Sequence, residues 1–333
     1  MILVTGATGL VGGNLIWYLL QDNERITATR RDSTNIASLY RILSFYTSTP
    51  DIYLARIIWK TADVLNEQSI CDAMSGISIV YHCAAIVSLG KDAGIMSDTN
   101  VIGTRNIVNA ALKVNVKKLC FVSSIAACGR SVNGEKIDEN TTWIDSPMRS
   151  AYSRSKYYSE QEVWKGIKQG LNAVIVNPGV ILGISGNDNG SAQLFNQVRK
   201  GLMFYINGGT AYIDIKDVVE IMIGLTNSDI SAEKYVLVGE NCSNHEVLSW
   251  IADGFGKRRP FIHISRWTLL CIGTLSEWLA KLLHFKPLID KSTARSATHR
   301  EYYSNSKIQK VLNHKFTPIK ESIKKVCDFQ LNN

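Results

Sequence analysis

The chain has 333 residues, 45% of them apolar and 20% charged, with a formal net charge of +8. That length carries a full α/β core with room for a second lobe, and that balance excludes a disordered chain. Lys and Arg are scattered, with no basic stripe interleaved with aromatics, which excludes a nucleic-acid binder. They leave only a mild field for an anionic small molecule.

A strand over residues 2–5 runs into Thr5-Gly6-Ala7-Thr8-Gly9-Leu10-Val11-Gly12 and a helix over 9–20. A strand so near residue 1 leaves no room for a signal peptide, and the chain reads as cytoplasmic. Gly6, Gly9 and Gly12 let the backbone turn tightly and approach a pyrophosphate with no Cβ in the way. The turn around Thr8, Leu10 and Val11 then presents free helix N–H groups and the positive end of the helix dipole. A second strand, 25–30, ends at Arg30-Arg31 with no acidic residue at its tip. A carboxylate there would grip the ribose 2′-OH of NAD. Arginines suit the 2′-phosphate instead, so the reading favours NADP(H), with NAD(H) as the alternative.

A third strand, 55–61, precedes Asp63-Val64, which is placed to meet the adenine, and a helix covers 67–74. A fourth strand, 78–83, ends at Ala84 and Ala85, small enough for the backbone to lie against a cofactor. A helix over 99–114 carries Asn100 near its start, where it could steady a proton-relaying water. A fifth strand, 118–123, ends in Ser123-Ser124. A helix over 152–170 opens on Tyr152 and Lys156, and a sixth strand, 172–177, precedes Pro178-Gly179. Repeated βαβ units predict a Rossmann-type, doubly wound parallel sheet with helices on both faces.

The pattern changes after Gly179. A helix over 215–227 and a strand over 234–238 return to the sheet. The nucleotide domain is therefore read as 1–179 plus 213–240. Residues 180–212 and 241–333 form a smaller, mainly helical substrate lobe, with substrate in the cleft between them. The apolar stretch 267–285 is broken by Glu277 and Lys281 on one helical face, which makes it an amphipathic helix rather than a transmembrane span. Its Trp267, Leu270, Trp278, Leu282 and Phe285 either line an apolar pocket or only pack the lobe. The seven cysteines show neither CxxC nor Cys/His ligand spacing. They read as small buried hydrophobes, and no metal site is expected.

Tyrosine keeps its proton to about pH 10. To exchange it near neutrality it needs a nearby cation, and a lysine four residues later lies on the same helix face. Lys156 can therefore tune Tyr152 and also bond the nicotinamide ribose, while Ser124 holds the substrate oxygen. Alone, the Tyr–Lys spacing describes an ordinary exposed helix pair. Its coincidence with the glycine turn and the serine pair points to an enzyme acting at a carbon–oxygen centre.

These motifs closely resemble the extended short-chain dehydrogenase/reductases. To them are added His82-Cys83-Ala84-Ala85, Asn100-Val101-Ile102-Gly103-Thr104, Asn177-Pro178-Gly179-Val180 and Tyr212-Ile213-Asp214-Ile215-Lys216-Asp217-Val218, all in the family's order. The resemblance implies a Ser124/Tyr152/Lys156 catalytic set, cofactor contacts that extend to Asn177, Pro178, Gly179 and Val180, and a homodimer.

Within that family, Ser124 is followed by Ile125-Ala126, without the Asp-Glu pair that sugar dehydratases place there. The stretch Asn207-Gly208-Gly209-Thr210-Ala211 lacks the arginine with which nucleotide-sugar enzymes grip a diphosphate. Residues 177–183 and the string from Ala297 to Lys307 are similar to the dihydroflavonol reductase-like branch. The expected activity is therefore an NADP(H)-dependent carbonyl reductase or alcohol dehydrogenase with a small-molecule carbonyl or alcohol substrate. The alternatives are a nucleotide-sugar 4-epimerase with tightly held NAD and, from another class, a cofactor-sensing regulatory protein on the same fold.

Overall fold

The structure, a computed structural model, describes residues 1–87, 93–131, 134–146, 149–187, 190–265, 267–268 and 300–332. The first half alternates as β1 (Ile2–Thr5), α1 (Leu10–Asp22), β2 (Ile26–Arg30), α2 (Ala37–Tyr46), α3 (Pro50–Leu54), β3 (Ile57–Thr61), α4 (Glu67–Met74) and β4 (Ile79–His82). Next come α5 (Ala93–Ser97), a π-helical turn (Asp98–Ile102), α6 (Gly103–Lys113), β5 (Lys118–Val122), a 3₁₀ turn (Ile125–Ala127), α7 (Ala151–Lys168) and β6 (Ala173–Pro178). The second half contains β7 (Val180–Leu182), α8 (Ala192–Arg199), β8 (Phe204–Ile206), β9 (Gly209–Asp214), α9 (Ile215–Thr226), β10 (Glu233–Leu237) and β11 (Glu240–Ser243). It closes with α10 (Asn244–Gly254), β12 (Ile262–Ile264), α11 (Ser306–Leu312) and α12 (Ile319–Asn332).

Seven strands form one parallel sheet in the order β10-β6-β5-β4-β1-β2-β3. All residues of β5 and β6 are buried, as expected where helices cover both faces. Successive strand residues alternate between two cores. Val4, Cys120 and Val174 pack toward α1 and α9 with Leu15, Ile16, Val218 and Met222. Leu3, Phe121 and Ile175 pack toward α4, α6 and α7 with Ile70, Ile107 and Val163. The strand order reverses between β1 and β4, and the crevice at that switch is where such sheets hold a dinucleotide.

The second lobe has its own core, in which Leu182, Phe195, Ile251, Ile323 and Cys327 meet. It is less purely helical than the sequence suggests. A three-stranded sheet, β11-β9-β7, and a two-stranded pair, β12-β8, run through it. Most of these strands have only three or four residues, too few for a period of two to show. Residues 306–312, assigned to the lobe from sequence, pack on the main sheet instead. Ile308 joins the sheet core, and Lys307 Nζ donates to Lys234 O (2.9 Å) and to Glu233 on β10. Of the apolar stretch 267–285, Trp267 is exposed, while Leu270, Trp278, Leu282 and Phe285 lie outside the described residues, as do residues 297–299. No described helix is long and apolar enough to cross a membrane.

Candidate active site

At the switch point the backbone leaves room that a side chain would fill. Gly6 has φ of 69°, and a Cβ there would stand 2.7 Å from Ala84 Cα and N. A Cβ on Gly12 would stand 2.3 Å from Gly6 O. Gly9 caps α1 with no side-chain hydrogen bond, its N–H donates to Gly6 O (3.0 Å), and no acidic residue lies in the first turn of α1. Thr8, Leu10 and Val11 are half-buried around this turn. Free N–H groups, the helix dipole and backbone without Cβ suit a pyrophosphate, so these residues fit a bound dinucleotide. The ends of β1 and β4 are stitched together, because Thr5 Oγ1 accepts from Ala84 N (3.3 Å) and pairs with His82 Nδ1 (2.8 Å).

The two arginines after β2 part company. Arg30 lies over the Trp59 ring, 5.4 Å from its centre. Arg31 is exposed and makes no ion pair among the described residues. Asp32, a carboxylate that the sequence reading passed over, accepts from Thr61 Oγ1 (3.2 Å). Asp63 closes its own turn by accepting from Leu65 N (2.9 Å). Val64 packs against Gly103 and accepts from Asn106 Nδ2 at its carbonyl (2.8 Å). Ala85 follows Ala84 into the same crevice, half-buried.

Ser124 leaves the C-terminal end of β5, where its Oγ accepts from Ala126 N (3.1 Å) and stands near enough to the Tyr152 hydroxyl to influence its ionisation. Tyr152 stands in the first turn of α7, a helix capped by Ser150, whose side chain accepts from Ser153 N. Burial pushes the Tyr152 hydroxyl above its usual range, and the neighbouring Ser124 hydroxyl opposes that. One turn on, Lys156 is buried. Its Nζ donates to Val122 O (2.9 Å) and lies 5.4 Å from the Phe121 ring centre. Burial lowers Lys156 to about 8, against the pull of Cys83 and Glu160.

Asn100 sits in the π-helical turn and is buried. Its Oδ1 accepts from Ile86 N (2.8 Å), and its Nδ2 donates to Ile86 O (3.0 Å) and Ser155 Oγ (3.0 Å). Its carbonyl accepts from Thr104 Oγ1 (2.6 Å) and Ser159 Oγ (2.8 Å). The side chain thus ties the segment after β4 to α7 rather than offering a free amide. Asn177 is fully buried, and its Nδ2 donates to Ser124 O (3.0 Å) and to Glu160. Pro178 ends β6, Gly179 N donates to Leu237 O (3.0 Å), and Val180 starts β7 opposite Tyr212. A Cβ on Gly179 would stand 2.6 Å from Ala211 O.

Sequence reasoning missed Glu160, which is four residues past Lys156, and the part played by His82. Between Thr5 Oγ1 and Thr104 Oγ1 (3.2 Å), His82 is held neutral, lowered to about 3 by burial and then by the charge of Lys156. The unfolded chain therefore binds the extra proton between the ordinary histidine value and about 3, and stability falls as pH drops through that window. The slope from this group is at most about 1.4 kcal/mol per pH unit. Denaturation midpoints between pH 7 and pH 4 should drop less steeply in His82→Gln than in the parent. Equal slopes would remove His82 from the acid sensitivity. Elsewhere, Asp217, Glu220 and His314 cluster, but Asp217 already accepts from Thr317 N (2.8 Å) and Oγ1 (3.0 Å) and pairs with His314 (3.1 Å). That arrangement anchors the segment before α12.

A family model described as the NAD dependent epimerase/dehydratase family matches residues 2–238. The chain belongs to that family. It is an NAD(P)-dependent enzyme of the extended short-chain dehydrogenase/reductase type. Among curated relatives, a putative dihydroflavonol 4-reductase of Synechocystis sp. is 29% identical over 332 residues, covering 96% of this chain and 91% of the relative. Sterol demethylase protein B of Methylococcus capsulatus is 29% identical over 272 residues, covering 79% and 76%. Among solved structures, the crystal structure of gox2253 superposes with a TM-score of 0.82 at 26% identity, covering 100% of this chain and 98% of that one.

Proposed function

We propose that this family member is an NADP(H)-dependent carbonyl reductase or alcohol dehydrogenase of the dihydroflavonol reductase-like kind. The observation that carries the reading is the gathering of Ser124, Tyr152 and a buried Lys156 at the strand ends beside the glycine turn. When bound, the nicotinamide supplies or accepts hydride at the carbonyl carbon. Ser124 orients the substrate oxygen, and Tyr152 gives or takes its proton. Lys156, largely protonated at neutral pH, stabilises the phenolate and bonds the ribose. Asn100 acts as a positioning residue between the segment after β4 and α7. The relative named a putative dihydroflavonol 4-reductase supports this branch. So do Ile125-Ala126 in place of an acidic pair and the absence of arginine from residues 207–211. A small-molecule carbonyl or alcohol substrate, a cytoplasmic location and a homodimer complete the proposal, and the protein's mass in solution would test the last.

The NADP(H) preference rests on Arg31, which is unpaired among the described residues and free to meet a 2′-phosphate. A charge-assisted bond of this kind contributes about 1.5–3 kcal/mol. Arg31→Ala should weaken NADPH binding by about tenfold or more and leave NADH binding unchanged, as read by quenching of protein fluorescence. If the parent binds NADH as well as NADPH, Asp32 rather than Arg31 governs the ribose, and the preference is lost.

A further inference from the structure

Behind the catalytic face lies a carboxylate that the proposed reaction does not use. Glu160 sits one helical turn past Lys156 on α7 and is only 2% exposed. It accepts from Ser123 Oγ (2.6 Å), at the end of β5, and from Asn177 Nδ2, at the end of β6. Asn177 Nδ2 also holds Ser124 O (3.0 Å). One acceptor oxygen therefore joins two adjacent strands to the helix carrying Tyr152 and Lys156, and one of its donors fixes the main chain of Ser124. An unpaired carboxylate this deep is strongly unfavourable. Two donors and two lysines offset that here. Lys156, one turn back on α7, and Lys234, on β10, are the cations that pull Glu160 toward ionisation, neither of them in a direct ion pair with it among the described residues. Cys128, after β5, is its other titratable neighbour. Lys156 in turn is faced by His82 and Cys83 from the end of β4.

We infer that Glu160 is a positioning residue for this catalytic centre: as a buried carboxylate it anchors Ser124 through Asn177 and supplies the negative charge that keeps Lys156 cationic. The inference deepens the proposed reaction and rests on it only for the meaning of Lys156. Burial drives Lys156 toward its neutral form, and Glu160 is one of the two groups opposing that. Glu160 is itself pushed up by burial, while Ser123, Lys234, Asn177 and Lys156 pull it back toward ionisation. Removing its charge leaves burial unopposed from that side, so Lys156 should lose its proton at lower pH.

The test reads Lys156 directly, with no substrate. The carbon-13 resonance of its Cε, assigned by its disappearance in Lys156→Met, is followed against pH. In Glu160→Gln, which keeps an acceptor oxygen but no charge, the Lys156 midpoint should fall by about one pH unit. Glu160→Asp, which keeps the charge, should restore most of it. The reciprocal variant, Lys156→Met, should raise the Glu160 carboxyl midpoint by a similar amount, since coupling is mutual. That arm also decides the matter if Glu160→Gln does not fold. A Lys156 midpoint unchanged in Glu160→Gln, or a Glu160 midpoint unchanged in Lys156→Met, overturns the inference and marks the carboxyl as neutral or merely structural. Where turnover is measurable, the pH profile of kcat should move to lower pH in Glu160→Gln, and a lower kcat on an unshifted profile also overturns it. A protein that shows the Lys156 shift yet reduces no carbonyl keeps this inference and loses the proposed reaction.

Discussion

Replacing Tyr152 with Phe should cut turnover by about 10² or more while leaving cofactor binding nearly intact. The substitution deletes one oxygen from the first turn of α7 and leaves the ring. That oxygen lies near the Ser124 hydroxyl and is the group placed to exchange a proton with substrate. The glycine turn, the stitch between Thr5 and Ala84 and the Lys156–Val122 bond are all untouched. Binding and chemistry should therefore separate cleanly, with NADPH affinity unchanged by fluorescence titration and kcat down at every pH. Near-normal turnover would remove Tyr152 from the acid–base role. A loss confined to KM would make it a substrate contact only.

The second large effect is expected at Gly6. Alanine there must take a left-handed conformation, which costs roughly 1–2 kcal/mol, and must also fit a methyl 2.7 Å from the backbone of Ala84. Overpacking of that kind adds roughly 1–3 kcal/mol. Those backbone atoms belong to the segment after β4 in the middle of the sheet, so no flexible side chain can swing aside. Gly6→Ala should lose roughly 2–5 kcal/mol in urea denaturation and most of its NADPH affinity. Gly12→Ala separates the two causes, because its backbone is ordinary helix and only close approach opposes it, 2.3 Å to Gly6 O and 2.8 Å to Gly6 C. Variants within about 0.5 kcal/mol of the parent, with unchanged cofactor affinity, would mean that the turn tolerates a Cβ and is not shaped around a pyrophosphate.

Much of this was legible in sequence because it is local. Glycines three apart after a strand, and Tyr152 four residues before Lys156, are short-range patterns that mean the same thing wherever the βαβ alternation holds. The long buried strands β5 and β6 announced themselves as apolar runs. What escaped needs two or more elements brought together. Glu160 reads as an ordinary helix carboxylate until β5 and β6 place Ser123 and Asn177 against it. His82 reads as a strand residue until Thr5 and Thr104 close on both ring nitrogens. The sequence offers Asn100 as a residue that could steady a proton-relaying water, and the folded chain engages its side chain with Ile86 and Ser155. Asp32 was overlooked because it stands two residues past the end of β2. The helix α2 carries helical spacing in Leu39, Ile42 and Leu43 that a closer reading of the sequence would find, whereas α3, with five residues, and the short strands of the second lobe lack the length that marks an element.

The most direct measurement is NADPH consumption by the purified protein across a panel of ketones and aldehydes, with NADH alongside. The account predicts steady oxidation of NADPH with at least one carbonyl, slower oxidation of NADH, and loss of both in Tyr152→Phe. No consumption of either cofactor across the panel, together with interconversion of a nucleotide sugar by the same preparation, would contradict it and make the protein an epimerase.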